Sequence, residues 1–437
     1  MSSAARIAWV TVAILAAIVG GLAVRGAPSR TASRAAAATL PPVGRIAHRV
    51  ELVRGLRFRY VPKVQLVSAE TLSRTLSRRE AHPGAAARRA AREGLAAEGV
   101  AALAGILRQQ DVDQAASGGA GAGAGADVGG VYVPADKRIY LVRDTVEKSS
   151  KLTEIVLAHE LTHALEDQHF HDFSTGTHPF ADSASARQAL LEGSATLTEL
   201  RYGQRYLHES GDLGALLAKR ARNFAGPGVP AALRDAEAFP YVAGGRFVAS
   251  LHGHRGWKLV DFAHRHPPRT TEAVLHPAGW HGTDRQRRPR FGVEKPLAAG
   301  WSRIARADVG EMDTVELLRT GLDEADARRG AAGWDAGSFE TWSPQGADLE
   351  HCKLPCRSQL ASVLVWRWDT PHDATEYVAL MRRAIARALH AKPDGRDGFA
   401  LDGGAAALRA YGRRRTALAY APTLAQARQL LRSAQNG

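Results

Sequence analysis

The run Val156-Leu157-Ala158-His159-Glu160-Leu161-Thr162-His163-Ala164-Leu165 constrains this chain more than any other segment. It carries H-E-x-x-H inside an apolar, helix-favouring frame. On a helix, residues i and i+4 stack on one face, so His159 and His163 can grip one metal ion together. Glu160 follows directly and can reach a metal-activated water as general base. No Gly or Pro interrupts Leu152 to Leu165, and Leu152, Ile155, Val156 and Leu165 supply apolar anchors at helical spacing. The plainer alternative is a core helix with two incidental histidines.

A third ligand decides the class of site. His169 lies ten residues after His159, where H-E-x-x-H-x-x-G-x-x-H sequences place a third histidine. That pattern turns the chain at a glycine, and position 166 here is Glu166, which favours continuing the helix. No Met-turn follows; Met312 and Met381 lie far downstream. Glu192 fits better. It interrupts an apolar stretch 29 residues after His163, at the end of a Gly-free and Pro-free run from Ala181 to Leu191 that predicts a second helix. A carboxylate there needs a partner. The small residues Gly193 and Ala195 let this helix approach the first. His159, His163 and Glu192 together make a His₂Glu set with one open position, the donor set of catalytic zinc sites. Glu199, two turns on, is the fallback ligand, and Asp167 or Glu199 can orient a ligand histidine through its second ring nitrogen.

His-Glu-Leu-Thr-His-Ala-Leu followed by a Glu-Gly-x-Ala helix resembles the gluzincin group of zinc metallopeptidases. More closely, the chain is similar to a poorly characterised group of exported bacterial proteins of that type. The motifs that carry the likeness run from about residue 50 to 430. They are Arg54-Gly55-Leu56, the hairpin Gly130 to Val142, Phe239-Pro240-Tyr241, Pro267 to Glu272, Leu275-His276-Pro277, Gly333-Trp334 and Trp368 to Ala374. The zinc motif is the most specific of them. The chain departs from the pattern at Glu166, where Gln is expected, and in its Gly-rich insert. The resemblance implies a zincin-type fold, peptide-bond hydrolysis with Zn2+, and a peptide or protein substrate held along an edge strand of the hairpin. Tyr241 and His276 lie in shared motifs and are candidate donors to the oxyanion of the tetrahedral intermediate. A zincin fold that has lost catalysis, serving as an envelope or scaffold protein, is the rival reading; the intact Glu160 speaks against it.

A chain of 437 residues can bury a large core. Its net charge of +14 suits anionic partners. The arginines are scattered, apart from modest clusters at Arg285 to Arg290 and Arg413 to Arg415, and no nucleic-acid motif accompanies them, so an anionic cell envelope is the expected partner. Arg6 followed by the uncharged stretch Ile7 to Val24 predicts a signal peptide or N-terminal membrane anchor over 1–27, hence an exported protein. The only two cysteines, Cys352 and Cys356, then most simply form a small disulfide loop, with a second metal site using His351 as the alternative.

The expected fold class is α+β, zincin-like and mainly helical, with a small sheet or hairpin beside the H-E-x-x-H helix. Residues 28–45 read as a tether. Residues 46–130 form an N-terminal α/β region containing a strand at Val61 to Val67, two helices broken near His82 to Gly84, and a Gly/Ala-rich loop at 117–126. Residues 131–290 are the expected catalytic core, helical over 201–265 with a break at Gly226 to Pro230. Residues 291–437 are a C-terminal α+β region. Its expected elements are a helix over 314–329, a strand at Val363 to Arg367, a helix at Asp373 to Leu389, a strand at Thr416 to Tyr420 and a last helix at Leu424 to Arg432.

Overall fold

The computed structural model describes residues 40–80, 85–111, 129–171, 182–223, 231–282, 297, 299–349 and 352–435. The expected export segment, the Gly/Ala-rich loop, the breaks at His82 to Gly84 and Gly226 to Pro230, the Arg285 to Arg290 cluster and His351 lie outside these residues. Among the described residues no helix is long and apolar enough to cross a membrane.

The chain is α+β, in two layers of different character. The first is helical around a three-stranded sheet. Helix α1 (Val43–Arg54) leads to β1 (Lys63–Val67), then α2 (Ala69–Glu80) and α3 (Ala85–Leu103). The hairpin follows as β2 (Gly130–Val133) and β3 (Arg138–Val142), joined by a 3₁₀ turn at Pro134–Asp136. The strand order is β1-β3-β2, with β1 parallel and β2 antiparallel to β3. After α4 (Arg143–Lys148) comes α5 (Ser150–Phe170), which carries the H-E-x-x-H motif. The Ser149 hydroxyl caps its start by accepting from Leu152 N, and His171 ends it in the left-handed conformation at φ 56°. Every residue from Ile155 to Glu166 is buried, so α5 has no solvent face to lend it amphipathic spacing.

Helix α6 (Asp182–Tyr206) is the expected second helix, and it carries Glu192, Gly193, Ala195 and Glu199. Gly193 faces Gly244 of a later helix rather than α5, correcting the expected use of its small size: a Cβ at either glycine would collide with the other helix's backbone. That later helix is α8 (Ala231–Arg255), reached through α7 (Leu213–Asn223). Helices α9 (Trp257–Arg265) and α10 (Thr271–Leu275) complete this layer. Helix α1 begins inside the span expected as a tether, because Ile46, Ala47 and Val50 find a buried seat against α5.

The second layer is a seven-stranded antiparallel sheet, richer than the two strands expected at Val363 to Arg367 and Thr416 to Tyr420; the small sheet expected beside the H-E-x-x-H helix is the three-stranded one. Its elements are β4 (Trp301–Asp308), α11 (Glu311–Arg319), α12 (Glu324–Ala331), β5 (Trp334–Pro344), β6 (Ala361–Trp368), α13 (Pro371–Ala388), β7 (Lys392–Asp394), β8 (Gly398–Leu401), β9 (Gly404–Tyr411), β10 (Arg415–Ala421) and α14 (Leu424–Gln435). The strand order is β4-β5-β6-β10-β9-β8-β7. Alternation decides which face each residue covers. Leu364, Trp366 and Trp368 pack with Tyr377 of α13, while Val363, Val365, Ala417 and Ala419 pack under α14. The single helix expected over 314–329 is two helices. Gly321 presses on the Ala384 backbone of α13, and Asp323 caps a new start by accepting from Asp326 N. Helix α3 packs on this sheet with Val309, Phe339 and Leu360, and Thr341 Oγ1 donates to Ala96 O at 3.0 Å. The stretch 46–130 is therefore shared between the layers. Cys352 and Cys356 are disulfide-bonded.

Candidate metal centre

Helices α5 and α6 bring His159, His163 and Glu192 to one point. Glu192 Oε2 lies 3.1 Å from His159 Nε2 and 3.6 Å from His163 Nε2, and the two imidazole nitrogens are 3.2 Å apart. All three side chains are at most 3% exposed. Two ring nitrogens and a carboxylate oxygen facing one another in a dry interior need something positive between them. Ligand nitrogens at about 2.0–2.1 Å around a tetrahedral ion stand about 3.3 Å from each other. The donor set and its spacing thus fit a single metal ion.

The surrounding groups fix those donors. His159 Nδ1 lies 3.1 Å from Glu199 Oε2. A carboxylate can only accept there, so Nδ1 carries a proton, and Nε2 faces the centre, where its lone pair would serve a metal ion. Arg220, on α7, ion-pairs with Glu199 and sits over the Tyr241 ring at 5.1 Å. The Tyr241 ring stacks beside His159 with centroids 6.4 Å apart. Gln188 Nε2 donates to Glu192 Oε1 at 3.3 Å. Burial pulls the His159 imidazole toward neutrality, but its contacts with Glu192 and Glu199 outweigh this and raise it to about 9. Burial alone would raise the Glu192 carboxyl; His163 and His159 instead hold it well below the usual range. The site is built to attract positive charge.

Glu160 is wholly buried. Its Oε2 accepts from Tyr132 N at 2.7 Å, and its Oε1 has no hydrogen-bond partner among the described residues. Burial holds this carboxyl well above the ordinary range. Tyr132 belongs to β2, the edge strand, and its hydroxyl donates to Asp167 Oδ2 at 2.9 Å. All four residues of β2 are buried and its outward N–H at Tyr132 is taken by Glu160. The hairpin in this arrangement covers and orders the motif helix, rather than offering Tyr132 N–H to an added strand.

The other sequence candidates lie elsewhere. His169 Nε2 bonds Arg57 O at 2.7 Å, and its ring is turned to the chain that follows α1. Glu199 acts behind His159, not at the shared point. His276 Nε2 pairs with both oxygens of Glu311, at 2.9 and 3.0 Å, and its side chain is 60% exposed. Glu166 anchors a separate buried network: it accepts from Arg54 Nε at 2.6 Å and from the Ser194 hydroxyl, with His264 Nε2 at 3.5 Å. Sequence reasoning missed Arg220. Its only signal is weak: it falls one helical turn after the buried Leu217, on a helix otherwise reading as basic and exposed.

The profile of a family described as a domain of unknown function (DUF8575) matches residues 290–431, the sheet layer. No curated protein and no solved structure matches the chain.

Proposed function

We propose that the chain is an exported zinc-dependent metallopeptidase of the gluzincin type, whose helical layer has a zincin-like fold. The observation that carries this reading is the convergence of His159, His163 and Glu192 beside the buried Glu160. Three protein donors of the kinds His, His and Glu are the set of catalytic zinc, whereas structural zinc takes four. When bound, the ion supplies Lewis-acid polarisation of a water and of the scissile carbonyl. Glu160 takes the water's proton on Oε1, the oxygen that Tyr132 N–H leaves free, and passes it to the departing amine. Burial raises the proton affinity of Glu160, which makes it the stronger base once a bound cation leaves it ionised. Tyr241, beside His159, is the proposed donor to the developing oxyanion; His276, held by Glu311, takes no part.

The rival reading is an inactive zincin-fold scaffold, and the complete burial of the cluster is the observation that favours it. Glu160→Gln separates the two. The peptidase reading expects hydrolysis of a mixed peptide library to fall by about 10²–10⁴ while bound metal stays at the wild-type level. Equal turnover in wild type and variant would sink it.

A further inference from the structure

We propose that residues 40–63 form a docking surface for an anionic lipid bilayer. Among the described residues, the large hydrophobic side chains left exposed are Leu40, Leu52, Tyr60 and Val61, at 41–49%. All four fall within one short segment. On α1, Ile46, Ala47, Val50 and Val53 turn inward, while Gly44, His48 and Leu52 make an outward stripe at four-residue spacing with Arg45 beside it. Arg45, Arg57, Arg59 and Lys63 are exposed and have no ion-pair partner among the described residues. Glu51 is the only acid between Leu40 and Val67, and it is occupied: it accepts from Phe58 N at 2.8 Å and meets His48 at 3.3 Å.

This exposure is imposed by the fold. Gln168, at the end of α5, accepts from Arg59 N at 2.9 Å and donates to Tyr60 O at 3.0 Å, and His169 Nε2 bonds Arg57 O. The loop is pinned by its backbone, with Tyr60 and Val61 turned out. Apolar groups interleaved with unpaired cations, and no free acid, suit the headgroup boundary of an anionic leaflet, where each cation adds about 1 kcal/mol. A protein partner would need matching acids; a bilayer presents them everywhere. The uncharged stretch Ile7 to Val24 precedes Leu40 by only 16 residues, which would hold this surface near a membrane. The inference stands whether or not the metal centre is catalytic.

The test uses the full chain reconstituted in vesicles. An environment-sensitive fluorophore is placed at Val61→Cys, the native cysteines being bridged, with Lys392→Cys as an exposed remote control. The expected result is blue-shifted emission at position 61 in phosphatidylglycerol-containing vesicles, not in pure phosphatidylcholine, and no shift at position 392. Replacing Arg57, Arg59 and Lys63 by Gln should lower the docking equilibrium constant about fivefold per cation, on the order of a hundredfold for three. Leu52→Gln with Tyr60→Gln gives an independent loss if the charge variant misfolds. Equal emission in both vesicle types would overturn the proposal. So would a blue shift without vesicles that rises with protein concentration, the sign of a second copy on this face.

Discussion

The two layers bury opposite kinds of side chain. Around α5 and α6 the interior holds Arg54, His159, Glu160, His163, Glu166, Glu192, Glu199 and Arg220, each nearly closed to solvent. In the sheet layer the interior is Trp366, Trp368, Tyr377 and their aliphatic neighbours, and two of its indole N–H groups meet neutral hydroxyls. Trp366 Nε1 donates to Thr314 Oγ1 at 2.9 Å and Trp368 Nε1 to Thr416 Oγ1 at 2.8 Å. Its most deeply buried acid, Glu340, is neutralised from the rim by Arg303 and Arg306. Buried charge costs several kcal/mol per ion unless paired with good geometry, and apolar packing of the same volume is often more stable. The helical layer thus carries a burden of buried charge that suits the proposed metal centre, while the sheet layer packs mainly apolar side chains.

That contrast can be broken most forcefully in the sheet. Trp366→Ala should lose about 3–5 kcal/mol in urea unfolding, while the protein that remains folded keeps its full metal complement. Metal loss from folded protein would mean that the layers do not divide the labour. Arg220→Ala attacks the other side. It leaves Glu199 buried and unpaired, loosens the grip on His159 Nδ1, and should weaken zinc binding about 10–100-fold in a chelator competition. Arg220→Lys, which keeps the charge, should recover part of that loss. Affinity unchanged in Arg220→Ala would reduce the Arg220–Glu199 pair to packing.

A pH-dependent effect lies where α10 meets α11. Burial, with Glu311 and Asp369 nearby, pushes the Glu272 carboxyl from about 4.5 up to about 8. A folded pKa above the unfolded one gives stability that is whole below about 4.5 and lost as pH rises through about 8. Glu272→Gln should remove that part of the pH dependence, so the variant gains on wild type as pH climbs. Parallel stability profiles would show that Glu272 ionises as it does in the unfolded chain.

The candidate metal centre was legible because its spacing is local. His159 and His163 declare themselves one turn apart, and Glu192 stands out as a carboxylate in an apolar run. Arg220 could not be read in the same way: its meaning comes from α7 folding back onto α6, which no nearby residue signals. The sheet was hidden for a different reason. Strand β9, Gly404-Ala-Ala-Ala-Leu-Arg-Ala-Tyr411, is rich in alanine, a helix former in isolation. Its place between β8 and β10, with small residues beneath α14, overrides that preference. Strand β5 mixes Gly, Ser and Thr with Trp and Phe, and Glu340 in its middle reads as exposed until the two rim arginines are in place.

The proposed chemistry requires Glu192 to complete the metal set that His159 and His163 begin. Metal content measured on purified wild type, Glu192→Ala and His169→Ala tests this directly. The expected result is one equivalent of zinc in wild type and His169→Ala, and loss of zinc in Glu192→Ala with its helical circular dichroism retained. Zinc kept by Glu192→Ala and lost by His169→Ala would contradict the account.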